Sequence, residues 1–257
     1  MAERTFEIWR GDQSGGEFVA YTTEITPGMV VLDAIHQIQA QHANDLAIRW
    51  NCKAGKCGSC SMEINGHPKL SCMTRMNSLP EEGTITVQPI KAFPIIRDLV
   101  TDVSWNYEQN KRIAPFQPRE RDADGEHRML QEDVDRVQEF RKCIECFLCQ
   151  DVCHVLRDHH RKDSFVGPRF MIRVASLDMH PLDTADRIPA IKEEFGSGFC
   201  NITRCCTEVC PEHINITDNG IIPMKERVVD RYYDPVAWLK RKIFGVKPRG
   251  QARPEAK

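Results

Sequence analysis

The sequence predicts an α+β chain in which a β-rich N-terminal unit is followed by a mainly α-helical one. Three observations carry that prediction. Short β-rich runs separated by turn residues crowd the N-terminal part. From Leu130 onward apolar residues recur at helical spacing and few runs alternate like strands. Between the two regions, Ile113-Ala-Pro115-Phe-Gln-Pro118 and the charged stretch Arg119 to Arg128 read as a connector rather than core. The expected units are residues 1–110, residues 111–245 and a polar tail over 246–257, with the boundary near residue 110. At 257 residues the chain is long enough for two modest domains, each with its own core.

Composition excludes several function classes. Apolar residues make up 41% and charged residues 28%, the balance of a soluble globular protein, and no apolar stretch is long enough for a membrane span. Lysine and arginine (35) nearly match aspartate and glutamate (37), so no global field recruits nucleic acid. The start, Met1-Ala-Glu-Arg-Thr-Phe-Glu, does not read as a secretory leader, so a cytosolic location is expected. Twelve cysteines in such a chain point away from disulfides, because the cytosol keeps thiols reduced. Structural zinc needs only four ligands, usually as two separated pairs, and does not account for unbroken runs of thiols.

Taken in order, Thr5-Phe-Glu-Ile-Trp-Arg10 and Phe18-Val-Ala-Tyr-Thr-Thr23, separated by Gly11 to Gly16, predict an opening hairpin. After Pro27-Gly28, the spacing of Val31, Leu32, Ile35 and Ile38 predicts a helix to about Gln41 that crosses the sheet. His36 and His42 lie on or beside it with no partner at metal spacing, and are expected as surface histidines. Asn65-Gly66 turns a short hairpin. Ile85-Thr-Val-Gln-Pro89 should close the sheet, and Ile96, Leu99, Val100, Val103 and Tyr107 mark a following amphipathic helix.

The first chemistry-bearing motif is Cys52-Lys-Ala-Gly55-Lys-Cys57-Gly58-Ser59-Cys60, with Cys72 further on. Cys-x4-Cys-x2-Cys with a distant fourth cysteine is the ligand spacing of a plant-type 2Fe-2S cluster. Gly55 and Gly58 let such a loop wrap tightly and bring backbone N–H groups toward the sulfurs, where hydrogen bonds help set the potential. At these residues the chain resembles the iron-sulfur subunit of succinate dehydrogenases and fumarate reductases, and the resemblance continues through nearly the whole chain. It implies a β-grasp ferredoxin fold for the N-terminal unit. Some relatives carry aspartate at the third ligand position; Cys60 here implies an all-thiolate cluster.

The second unit opens with Leu130, Val134 and Val137 on one helical face, and helices are expected over 169–177, 188–195 and 220–232. Its centre is Cys143-Ile-Glu-Cys146-Phe-Leu-Cys149-Gln-Asp-Val-Cys153, the bacterial ferredoxin run in which the fourth cysteine serves the other cluster of a pair. The partner run must lie among Cys200, Cys205, Cys206 and Cys210. Counting back from Cys210-Pro211 in the ferredoxin register places ligand slots at 206, 203 and 200, and slot 203 is Thr203. Exchange of the fourth cysteines assigns Cys143, Cys146, Cys149 and Cys210 to a 4Fe-4S cluster. Cys153, Cys200 and Cys206 remain for a cluster that lacks one thiolate, hence 3Fe-4S. Cys205 stands out of register. It is expected as a free thiol pointing into the packed domain, because adjacent residues diverge; the alternative makes it a fourth ligand.

Three cluster types in one chain describe an electron relay, and the absence of nucleotide fingerprints or catalytic triads places chemistry on carbon in a partner. The resemblance implies a flavoprotein subunit with FAD, a membrane anchor, quinone as acceptor and a site on the cytoplasmic face of a bacterial plasma membrane. Relatives place proline, serine and a nearby tryptophan after the position of Cys153, and histidine after that of Cys200. Here His154-Val-Leu-Arg157-Asp-His159-His160 and Asn201 stand instead, so the usual quinone contacts do not transfer. The pattern is similar to an actinobacterial branch, which implies menaquinone. His154, His159 and His160 are expected as a solvated cluster, with proton delivery or anchor contact as the alternative. Tyr232 to Phe244 mixes aromatic, apolar and basic residues in a way suited to an anionic membrane surface or an anchor, or to an ordinary surface helix. The alternatives to succinate oxidation are the same relay run as a fumarate reductase and a free-standing multi-cluster ferredoxin.

Overall fold

The structure, a computed structural model, describes residues 2–245; the expected polar tail over 246–257 lies outside them. The hairpin forms as β1 (Ala2–Asp12) and β2 (Gly15–Ile25), paired antiparallel along their whole length and longer than the two predicted runs. Helix α1 covers Val31–Gln41, the span the apolar spacing predicts, and Asp33 accepts the Val30 N–H at its start (3.2 Å). β3 (Ser61–Ile64) and β4 (His67–Leu70) pair through the two-residue turn Asn65-Gly66, both at positive φ (49° and 74°), which matches the twist of a two-residue hairpin. β5 (Ile85–Gln88) runs parallel to β1 and antiparallel to β3, giving the sheet order β2-β1-β5-β3-β4. This is the expected α+β arrangement of a β-grasp unit. Phe6 and Ile8 of β1, Ile64, Ile85 and Val87 pack fully buried against Ala34, Ile35 and Ile38 of α1.

The helix expected from Ile96 to Tyr107 is corrected in its first half. Residues Ile95–Arg97 (β6) and Val100–Thr101 (β7) form a small hairpin, and only Ser104–Lys111 (α2) is helical. The cause is Asp98, whose φ of +47° turns the chain. Its buried carboxylate accepts the N–H groups of Gly11 (3.0 Å) and Ala47 (2.8 Å) and pairs with Arg10 (3.1 Å). That set of bonds ties the turn to the sheet and overrides a helical spacing that was coincidental. His36 is also less exposed than expected: it is half-buried, with its ring 4.7 Å from that of Trp50.

The rest is helical. In order come α3 (Gln131–Gln138), α4 (Leu148–Asp151), α5 (His154–Arg157), α6 (Pro168–Asp178), α7 (Ile188–Glu193), α8 (Cys205–Glu208), α9 (Ile222–Tyr232) and α10 (Pro235–Phe244). A π-helical turn at Ile216–Ile221 leads into α9. Val137 on α3 is buried as its spacing predicts, but Leu130 is exposed. Helix α6, which begins with Pro168 at its first position, is the spine of this core: Phe170, Met171, Ile172, Val174 and Ala175 are buried among Phe140, Ile191, Ile216 and Met224. The connector is held down rather than loose. Arg187 donates to the carbonyls of Ala114 (2.6 Å) and Pro115 (2.9 Å) and to Asp183 (2.6 Å).

Candidate functional site

The first thiol group lies on the loop between α1 and β3. Gly55 (φ +65°) and Gly58 (φ +68°) both take the left-handed backbone that their type permits. The loop wraps so that the Ala54 and Lys56 N–H groups each donate to Cys52 Sγ at 3.3 Å. Cys60 and Cys72 are buried, Cys52 and Cys57 half-buried. Burial pushes Cys72 up to about 12, and the nearby Cys60 and Cys52 thiols add to the rise. Burial acts the same way on Cys57, but hydrogen bonds from Ser59 and from the backbone at Cys52 and Ser59 outweigh it and bring it down to about 6. The predicted cysteines are thus neighbours, with Cys57 beside Cys52, and Cys72 beside Cys60 and Cys52.

The two later runs repeat one backbone form. In the first, Glu145 (φ 57°) and Phe147 (φ 62°) are left-handed and α4 follows; in the second, Ile202 (φ 63°) and Arg204 (φ 66°) are left-handed and α8 follows. Non-glycine residues adopt this conformation at some cost, and its repetition at matching positions marks a constraint on where the thiols point. One hollow, about 330 Å³ and partly open to solvent, is lined by Cys143, Cys146 and Cys149 together with Cys210 from the other run. A second, about 300 Å³, is lined by Cys153 with Cys200 and Cys206, and by Thr203 and Cys205. Each run therefore sends its last cysteine to the other run's hollow.

The donor set of both hollows is thiol with largely apolar neighbours such as Ile144, Ile172, Phe165 and Ile221. Soft thiolates in apolar surroundings suit iron-sulfur clusters. Desolvation pushes Cys146 and Cys206 up to about 12 and Cys153 to about 11, and Cys149 is raised as well. Thiolates here call for a cationic partner. Among the described residues no three His, Cys, Asp or Glu side chains converge at single-ion distance; the thiols ring hollows instead. All twelve cysteines are free.

Several residues at the site were not singled out from the sequence. Arg169 is buried beside the first hollow, pairs with Glu145 and opposes the burial-driven rise of Cys143. Lys225 donates to the Cys200 carbonyl (2.6 Å) and Thr217 Oγ1 lies 3.4 Å from Cys206 Sγ. Gln150, fully buried, donates to the Val166 carbonyl (3.0 Å) and accepts the Arg169 N–H (3.2 Å).

The two units also meet at their cluster loops. A Cβ on Gly58 would lie 2.7 Å from Cys146 Cα and 2.9 Å from its nitrogen. Ser61 Oγ is 2.9 Å from the Gly58 carbonyl and 2.8 Å from that of Cys146. Beside this contact Leu70, Ile90 and Phe93 pack on Phe147 and Leu148, and Glu63, fully buried, faces Arg157 at 2.8 Å and Lys91 at 3.5 Å. Asp151 accepts the Ala92 N–H (2.9 Å); burial raises it, and Glu63 adds to that rise against Arg157. None of this has a local sequence signal, because each contact joins residues far apart in the chain.

His154 lines the second hollow and its ring is 6.0 Å from that of His159. Helix α10 leaves Val236, Trp238, Leu239, Ile243 and Phe244 exposed. Among the described residues no helix is long and apolar enough to cross a membrane.

Comparison with known proteins adds an independent line. Residues 5–108 match a family described as a 2Fe-2S iron-sulfur cluster binding domain, and residues 139–214 match a 4Fe-4S dicluster domain. The fumarate reductase iron-sulfur subunit of Mycobacterium tuberculosis is 32% identical over 209 residues, covering 79% of this chain and 83% of its own. The succinate dehydrogenase iron-sulfur subunit of Paracoccus denitrificans is 28% identical over 235 residues, 89% of each chain. A chain of the Mycobacterium smegmatis Sdh1 complex in the apo form superimposes with a TM-score of 0.88 at 62% identity, over 91% of this chain and 98% of that one. With the ferredoxin-type loop, the paired thiol runs and these relatives in agreement, the chain belongs to the family of iron-sulfur subunits of succinate dehydrogenases and fumarate reductases, the electron-carrying part of an oxidoreductase complex.

Proposed function

We propose that this chain is the electron relay of a succinate:quinone oxidoreductase, taking electrons from FAD in a flavoprotein subunit and delivering them to membrane quinone, with menaquinone the expected form. The single observation that carries the reading is the crossed lining of the two hollows. Cys52, Cys57, Cys60 and Cys72 would hold a 2Fe-2S cluster, Cys143, Cys146, Cys149 and Cys210 a 4Fe-4S cluster, and Cys153, Cys200 and Cys206 a 3Fe-4S cluster. When bound, such clusters change oxidation level one electron at a time and so couple a two-electron donor to stepwise quinone reduction.

The chain's own part is placement and insulation. The Ala54 and Lys56 amides stabilise sulfur charge at Cys52, and the Arg169 guanidinium supplies positive charge beside the first hollow. The abutment of Gly58 on Cys146 keeps the first two thiol sets close. Residues 1–110 form the flavin-side unit and 111–245 the quinone-side unit in this reading. The exposed apolar face of α10, with Lys240, Arg241 and Lys242 beside it, supports contact with a membrane anchor on the cytoplasmic face.

Purification with native partners tests the reading. The complex should carry FAD, and electron paramagnetic resonance should show a 3Fe-4S signal when oxidised and 2Fe-2S and 4Fe-4S signals on reduction. A chain that purifies alone with all its clusters, without flavoprotein or membrane, would instead be a free-standing ferredoxin. Relatives named for both directions favour one further reading, the same relay run as a fumarate reductase. The ratio of succinate oxidation to fumarate reduction by the purified complex decides between them.

A further inference from the structure

The matched backbone of the two thiol runs makes their differences informative. Position by position, Thr203 stands where Cys146 stands, Cys206 where Cys149 stands, and Cys205 where Leu148 stands. Leu148 faces away from its hollow and is buried with Phe93 in the seam between the two units. Cys205 behaves differently. It lines the second hollow beside Cys153, Cys200 and Cys206, and its Sγ lies 3.2 Å from Thr203 Oγ1, the side-chain oxygen at the fourth ligand slot. Adjacent residues tend to diverge, yet Cys205 and Cys206 both line this hollow. Cys205 is also half-buried, so solvent ions have a route to it.

We propose that Cys205 is a conditional fourth thiol at this hollow, through which the chain takes up and releases a fourth iron as Fe²⁺; this rests on the cluster reading above. The step balances without an external oxidant. A one-electron-reduced 3Fe-4S core of zero core charge and one Fe²⁺ give a 4Fe-4S core of charge +2. Bonds form from the new iron to three core sulfides and to Cys205 Sγ, and the thiol proton passes to solvent. Release runs in reverse, with Cys205 taking its proton back and resuming its contact with Thr203. Because cluster type sets the potential range, iron uptake changes the redox level of this end of the relay.

The test uses the complex purified anaerobically with its native partners, as wild type and as Cys205→Ala. Each is reduced, incubated with isotopically enriched ferrous salt, freed of excess iron and mildly reoxidised. The wild type is expected to lose more than half of its 3Fe-4S resonance and to gain one enriched iron per complex with the Mössbauer signature of a 4Fe-4S core; the variant should retain its resonance and gain none. A wild type that already holds 4Fe-4S here and keeps its fourth iron on mild oxidation would make Cys205 a permanent ligand and overturn the conditional role. Equal conversion of both proteins, or of neither, overturns it while leaving the cluster reading intact. Lack of any 3Fe-4S or second 4Fe-4S core in both proteins, with an unchanged 2Fe-2S signal showing that they fold, overturns the cluster reading and this inference with it.

Discussion

At the level of single residues, backbone conformation shapes the thiol loops as much as sulfur does. Gly58 needs its type twice: its φ is +68°, and any Cβ would strike the Cys146 backbone, which cannot swing aside as a side chain could. Gly83 has a φ of +90° with nothing within 4 Å, so it isolates the conformational part. Gly83→Ala should cost about 1 kcal/mol, the usual penalty for an L-residue in left-handed backbone. Gly58→Ala should cost about 3 kcal/mol or more, since strain and overpacking add. Thermal denaturation of the two loaded variants checks this, and equal losses would mean that the loop contact gives way freely. The glycine requirement at 55 and 58 was legible from the motif, because a loop that folds back on its own sulfurs needs positive φ. The second reason for Gly58 was not, since Cys146 lies far along the chain.

At the scale of elements, legibility followed whether the pattern was local. Val31 to Gln41 and the Asn65-Gly66 hairpin form where spacing and turn chemistry place them. The run from Ile95 to Thr101 does not become helix because one buried carboxylate, Asp98, collects two backbone N–H groups from distant segments. The joint between β3 and α5 has the same non-local character, and it is testable. Arg157→Met would leave buried Glu63 with the more distant Lys91 as its remaining countercharge, beside the Gln88 amide that donates to it (2.6 Å), at an expected loss of about 3 kcal/mol. Adding Glu63→Gln should recover much of that loss, because an amide needs no countercharge. Denaturant unfolding of the single and double variants measures the coupling, and strictly additive losses would remove the ion pair from the account.

At the scale of the whole molecule, the two units were legible from the change of periodicity near the connector, and the two ferredoxin-type runs from their spacing. What spacing could not supply is how the units lie against each other. The seam of Leu70, Phe93, Phe147 and Leu148, with Glu63, Asp151 and Arg157 at its polar edge, places the 2Fe-2S loop against the first of the two hollows. In the relay proposed above, that contact would set which clusters follow one another. Within the second unit, the exchange of Cys153 and Cys210 ties its two runs into one core, so that losing either thiol should damage the far hollow rather than the near one.

The most direct measurement compares the resonance signals of complexes carrying Cys153→Ser and Cys210→Ser. The crossed arrangement predicts that Cys153→Ser perturbs or abolishes the 3Fe-4S signal and leaves the 4Fe-4S signal, while Cys210→Ser does the reverse. If Cys153→Ser instead removed the 4Fe-4S signal and Cys210→Ser the 3Fe-4S signal, each run would hold its own cluster and the account would be contradicted.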